Sequence, residues 1–122
     1  MSIPKLLQWQ WNGYLRYHKS KRNLLLHIIF VPLFLAANLG LLLALFNVSL
    51  SACVLCIVFM TLSIVLQGKG HSIEENSAEP FSSPLNAIVR IFLEQWITFP
   101  RFVLTGYWFS ALQDSSKTSK TS

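Results

Sequence analysis

Two uncharged apolar runs with one residue between them constrain this chain more than any other feature. IIFVPLFLAANLGLLLALF (28–46) and VSLSACVLCIVFMTLSIVL (48–66) are each 19 residues long, and Asn47 alone separates them. At about 1.5 Å of rise per residue each reaches about 29 Å as a helix, close to the hydrocarbon thickness of a bilayer. So short a joint forces the second helix back along the first, which returns both open ends to one face. Charged residues make up 12% of the chain and apolar ones 52%, whereas an ordinary soluble domain carries about 25% charge. A length of 122 residues allows one domain. The expected fold class is an all-α membrane protein: a two-helix transmembrane hairpin, 24–46 and 48–66, with amphipathic interfacial helices before and after it.

Charge orients the hairpin. Lys5, Arg16, Lys19, Lys21 and Arg22 precede the first run with no acidic residue among them, and no charged side chain occurs from 23 to 66. Later, Lys69, Arg90, Arg101, Lys117 and Lys120 are matched by Glu74, Glu75, Glu79, Glu94 and Asp114, so the net +5 arises in the amino-terminal segment. The positive-inside rule places both termini in the cytoplasm. A basic cluster interleaved with Trp and Tyr and leading into a span argues against nucleic acid as a partner. It is also too long for the basic region of a cleaved signal peptide. Cys53 and Cys56 lie mid-run with no histidine near them and read as small packing residues.

The flanks divide by pattern. In 3–19, Leu7, Trp11, Tyr14, Leu15 and His18 recur at helical spacing, which predicts an interfacial amphipathic helix. Ser20 or Asn23 can cap the first span, Pro32 marks a place for a kink, and Asn38 reads as a helix-packing residue. QGKGHSIEENSAEPFSS (67–83) reads as a surface loop, in which Gly68 and Gly70 let the backbone fold over the hairpin mouth. Ser83-Pro84 then starts a segment, 84–112, of amphipathic or re-entrant helices. Leu85, Ile88, Phe92, Trp96 and Phe99 form its apolar face, Asn86, Arg90, Glu94 and Thr98 its polar face, and Pro100 is an expected end or kink. The tail 113–122 is polar and expected to be disordered.

All three histidines fall at the open end of the hairpin. His18 and His27 stand at its entrance and His71 just past its exit. Singly each has an ordinary explanation, as an interfacial, hydrogen-bonded or loop residue. Jointly they can surround a metal, and His27 sits where an unsatisfied ring is costly. Asn23, four residues before His27, can orient that imidazole. Glu74 and Glu75, just beyond His71, can add a carboxylate ligand or hold an imidazole. Two or three histidines with at most one carboxylate suit non-haem Fe(II).

YHKSKRNLLLHIIFVPL (17–33) and QGKGHSIEEN (67–76) resemble, as a pair, the motifs of the small membrane family typified by the fungal 2-hydroxy fatty acid dioxygenase of phytosphingosine breakdown. EPFSSPLNAIVRIFLEQWITFPRFVLTGYW (79–108) is similar to a bacterial branch of it, which implies a bacterial inner membrane rather than the endoplasmic reticulum. The resemblance implies an Fe(II)-dependent α-oxidation that shortens a 2-hydroxy fatty acid by one carbon with dioxygen. Its motif histidines fall on His18, His27 and His71, its asparagine on Asn23, and its glycine on Gly70. Where family members read Gly-His-x-x-Phe-Glu-Lys, this chain reads Gly-His-Ser-Ile-Glu-Glu-Asn, so Glu74 and Glu75 both remain candidates for the family glutamate. Arg22 or Lys69, by charge and position, is expected to attract the substrate carboxylate. The rival readings are a non-enzymatic membrane scaffold or lipid-binding subunit and a haem protein with His27 and His71 as axial ligands; a homodimer fits any of them.

Overall fold

The computed structural model describes residues 2–121, with the side chains of residues 2–115. Every regular element among the described residues is helical, and two helices are long and apolar enough to cross a membrane. They are α2 (Lys21–Phe46) and α3 (Leu50–Ser72). Helix α1 (Ile3–Tyr17) precedes them, and α4 (Pro84–Leu93), a π-helical segment (Glu94–Thr98), α5 (Phe99–Leu104) and α6 (Tyr107–Thr121) follow.

The hairpin packs along its length. Gly40 lets the two backbones approach, since a Cβ there would sit 3.0 Å from the Cys56 sulfur, the usual device for close helix crossings. Nearer the open end the Ser63 hydroxyl donates to the Phe30 carbonyl. Pro32 lies inside α2 without ending it. The reversal takes Asn47, Val48 and Ser49, with Val48 at a left-handed φ of 49°. Ser49 caps α3, its hydroxyl accepting the Ala52 N–H.

Helix α3 continues six residues beyond the expected span. Residues 67–72 are helical, so His71 stands on the last turn of α3 and the loop shrinks to 73–83. Two glycines in a helix cost about 1 kcal/mol each relative to alanine, and packing offsets this. Gln67 pairs with Gln95, and Gly70 lies against Asn23 and Leu26 of α2. Gly70 therefore serves a close approach, not a turn.

The rod formed by α4, the π turn and α5 crosses one side of the hairpin. Phe92 packs on Phe34, the Trp96 indole donates to Asn38, and the Trp108 indole, at the start of α6, donates to the Leu24 carbonyl. Much of its polar side turns inward, although Phe99 of the apolar face is buried too. Gln95 and Thr98 are buried, while Leu85, Ile88 and Trp96 face outward. The helix passes Pro100 without breaking, because the Phe99 N–H already bonds five residues back to Glu94, and the widened turn makes room for a residue that cannot donate. The bend falls instead at Gly106, at φ 85°. Tyr14, Leu24, Val31, Phe99, Phe102 and Trp108 form the core at the open end of the hairpin. Helix α6 runs through 113–121, where composition predicts a disordered tail; its first turns are fastened by the buried Trp108 and Ala111, and a nucleated helix extends at little further cost.

Candidate metal centre

Four side chains from four elements converge where the core meets the open end of the hairpin. His18 is the residue at which α1 stops, and its Nδ1 donates to the Tyr14 carbonyl (2.8 Å). His27 lies on α2, its Nδ1 donating to the Asn23 carbonyl (3.0 Å). His71 comes from the last turn of α3, and Glu94 opens the π turn. The imidazoles meet edge to face with centroids 4.7–4.9 Å apart. One donor atom from each histidine and one Glu94 oxygen all lie within 4.8 Å of one another.

The protonation pattern follows from the partners. A carbonyl can only accept, so in their neutral, metal-ligating form His18 and His27 carry their ring protons on Nδ1 and turn bare Nε2 lone pairs inward. Those lone pairs face Glu94 Oε2 at 3.4 and 3.7 Å. Neither Nε2 has a hydrogen-bond partner, and the buried Nδ1 of His71 has none either. Electron pairs facing a carboxylate in a dry site repel one another unless positive charge lies between them. A proton on one ring relieves one contact and leaves the other nitrogens bare, whereas a cation at the centre satisfies all four donors. An ion bonded at about 2.1 Å keeps a trans pair of donors about 4.2 Å apart. Donors that now lie within 4.8 Å of one another therefore need to draw in by about half an ångström or more. Nitrogen and oxygen donors of this kind suit Fe, Zn, Cu or Ni.

Neighbouring groups hold the donors. Tyr14 stacks on His18 (centroids 3.8 Å) and donates its hydroxyl to Glu94 Oε2 (2.8 Å). Burial, then the charge and hydrogen bond of Glu94, push the Tyr14 phenol well above its ordinary value, so it remains a donor. Burial pushes the Glu94 carboxyl up, but an N–H from His18 and positive charge on the facing rings of His27, His18 and His71, when they carry it, outweigh burial and hold the group below the usual carboxylate range. Next to Glu94, the Gln95 and Gln67 amides bond reciprocally (2.7 and 2.9 Å), tying the π turn to α3. Phe99 and Phe102 close the far side against the rings of His27 and His18.

The remaining candidates from the sequence are placed differently. Asn23 reaches His27 through its backbone carbonyl, while its side chain donates to Glu74 (2.7 Å) and the Tyr17 carbonyl (3.3 Å). Glu74 stands outside the four-donor cluster. Its carboxylate accepts the Lys19 and Ser20 N–H groups at 2.9–3.0 Å as well as the Asn23 amide, and so pins the turn between the two histidine-bearing helices. Glu75, Arg22 and Lys69 are exposed. Glu74→Ala is expected to lower stability by about 2–3 kcal/mol by stranding these donors, and Glu75→Ala to stay within about 0.5 kcal/mol. Denaturant unfolding in detergent measures both. The haem reading fails on space, because the His27 and His71 rings touch at 4.9 Å and leave no slot for a macrocycle between them.

Glu94 is the candidate donor that sequence reasoning does not single out. It lies in IFLEQWITF, the only charge in an otherwise apolar stretch, and a lone charge in such a setting signals a partner. Helical spacing places it only on the polar face of its helix, with no sign of the histidines it meets.

A cavity of about 670 Å³ opens onto the cluster, with His18, His71 and Glu94 in its wall. Its cationic residues are Arg16 and Arg90; Arg22 and Lys69 are not part of the lining. The Arg90 guanidinium lies over the rings of Trp9 (4.9 Å) and Phe81 (4.5 Å) and donates to the Glu79 and Pro80 carbonyls (2.9 and 3.0 Å). A family model described as "2-hydroxy-palmitic acid dioxygenase Mpo1-like" matches residues 5–109, a span that contains all four donors and the cavity. No curated protein and no solved structure matches the chain.

Proposed function

The chain belongs to the Mpo1-like family, and from that premise we propose that it is a membrane-embedded, Fe(II)-dependent dioxygenase that shortens a 2-hydroxy fatty acid by one carbon. The observation that carries the proposal is the set of inward, partnerless nitrogens of His18, His27 and His71 around the Glu94 carboxylate. Three histidines and one carboxylate would hold the iron, with cavity space beside them for substrate. Bound iron supplies redox chemistry with dioxygen and open coordination positions.

The overall reaction balances without an outside reductant. A 2-hydroxy acid and dioxygen give the acid one carbon shorter, carbon dioxide and water, the substrate providing all four electrons. The protein's own residues bind, orient and exclude. Arg16 and Arg90 on the cavity wall are better placed than Arg22 and Lys69 to attract the substrate carboxylate. Tyr14 keeps Glu94 directed at the histidines. Phe99 and Phe102 keep water from the back of the cluster.

Exposed apolar surface supports placement in a bilayer. At the hairpin tip Phe46, Val48 and Leu50 are 85%, 90% and 79% exposed, and the core helix of a soluble protein would be covered. Leu85 and Ile88 on α4 are exposed as well, and abundant exposed apolar surface of this kind marks a membrane or partner contact. Basic residues at the open end and none at the tip favour a cytoplasmic metal centre.

Detergent-purified protein loaded anaerobically with Fe(II) is expected to hold near-stoichiometric iron. On admission of oxygen it should convert 2-hydroxypalmitate to pentadecanoate with matching oxygen uptake, and His71→Ala should lose both iron and turnover. Wild-type protein that retains iron yet consumes no oxygen with any 2-hydroxy acid would overturn the assignment.

A further inference from the structure

The cavity beside the metal cluster does not end at the cluster. Ile64 of α3 and Ile91 of α4 line it and also line a second space of about 270 Å³, a groove walled by Phe34, Met60, Val65, Ile88 and Phe92. We propose that the acyl tail of the substrate leaves the cavity between Ile64 and Ile91 and lies in this groove, whose far end at Phe34 and Met60 sets the preferred chain length. This rests on the reading of the protein as an oxygenase of 2-hydroxy fatty acids.

Helical spacing puts the two spaces in line, with Ile64 and Ile91 at the junction. On α3, His71, Gln67, Ile64 and Met60 succeed one another at intervals of three or four, so one stripe leads from the metal cluster into the groove. On the opposite wall Glu94, Ile91 and Ile88 do the same at intervals of three. From His71 to Met60 the descent is 11 residues, about 16 Å along the helix.

Polarity identifies the occupant. The upper cavity presents Arg16, Arg90, Asn12 and Glu79, whereas the groove's one polar side chain, Thr61, is already bonded to the Ile57 carbonyl (2.9 Å). A charged mouth leading to an uncharged, satisfied groove fits an amphiphile with an acidic head and an apolar tail. A bilayer lipid fits the groove but has no reason to place its head at the histidines.

The test maps the tail directly. A 2-hydroxypalmitate analogue with a photoactivatable diazirine at its tail end is crosslinked to full-length protein, and the adducts are located by mass spectrometry. Adducts on 60–65 and 88–92, competed by unlabelled 2-hydroxypalmitate, are the expected result. Adducts spread over the outer faces of α2 and α3, or not competed, mean that bilayer lipid fills the groove and overturn the proposal. In parallel, Met60→Trp and Ile91→Trp should each lower the ratio of kcat/KM for 2-hydroxypalmitate over 2-hydroxyoctanoate by about 10-fold or more, the scale of losing two or more methylene contacts. Iron content of each variant reports whether it has folded. An unchanged ratio in an iron-replete variant also overturns the proposal. If wild-type protein turns over no 2-hydroxy acid but the competed adducts map to the groove, the tail site stands and the oxygenase assignment falls.

Discussion

Glu94→Gln is expected to empty the metal site while leaving the apoprotein as stable as wild type or more so. The two effects have opposite signs for one reason. In the apoprotein Glu94 directs a carboxylate at the bare nitrogens of His18 and His27, 3.4 and 3.7 Å away. The Tyr14 hydroxyl bonds the same oxygen, Oε2. An amide that places its NH2 there donates to those lone pairs, while the Tyr14 hydroxyl gives up its acceptor and takes an N–H instead. With the Tyr14 donor bond lost, a net gain of about 0–1 kcal/mol is the expected scale. The same amide is a weak neutral ligand, so Fe(II) affinity should fall by at least about 100-fold, beyond the roughly 10–100-fold typical of groups that only orient a ligand. Tyr14→Phe, which removes such an orienting hydrogen bond, should fall within that smaller range. Fe(II) titration followed by Co(II) absorption spectra, alongside denaturant unfolding of the metal-free proteins, separates the two effects. Iron binding by Glu94→Gln equal to that of wild type would reduce the site to its three histidines.

Gly70→Ala and Gly68→Ala should move stability in opposite directions although they lie two residues apart on one helix. A Cβ at Gly70 would overlap Asn23 Oδ1 and stand 3.1 Å from Asn23 Cγ and 3.2 Å from Leu26 Cδ1. Asn23 is fully buried and cannot step aside, because its amide is committed to Glu74 and the Tyr17 carbonyl. Either α2 and α3 separate or the Asn23–Glu74 bond breaks, and overpacking of this kind costs about 1–3 kcal/mol before the lost hydrogen bond is added. His71 follows Gly70 directly, so iron affinity should fall with stability. At Gly68 nothing lies within 4 Å, and alanine in a helix should stabilise by about 0.5–1 kcal/mol. Thermal unfolding of both variants in one detergent decides the matter. Stabilisation by both would mean that the helices do not cross as closely as the Gly70–Asn23 contact requires.

The two 19-residue runs and the single residue between them were enough to establish a hairpin, and a hairpin is enough to gather His18, His27 and His71 at one end. Those inferences rest on local chemistry, namely how far an uncharged helix reaches and which way a one-residue joint must send the chain. Spacing could not reveal where α3 stops. Glycines at 68 and 70 read as a loop when seen alone, and only the contacts of Gln67 with Gln95 and of Gly70 with Asn23 keep that segment helical. The roles of the carboxylates were equally hidden. Glu74 and Glu75 stand beside His71 in sequence, yet one pins a turn and the other is exposed, while Glu94, 23 residues further on, arrives at the histidines on a helix that turns much of its polar side inward. Helical periodicity separates an apolar face from a polar one, but it does not say which of the two looks inward. In water the apolar face would; here the apolar hairpin surface already faces outward, so the donors turn in, and only the packing of α4 and its π turn against α1, α2 and α3 decides that.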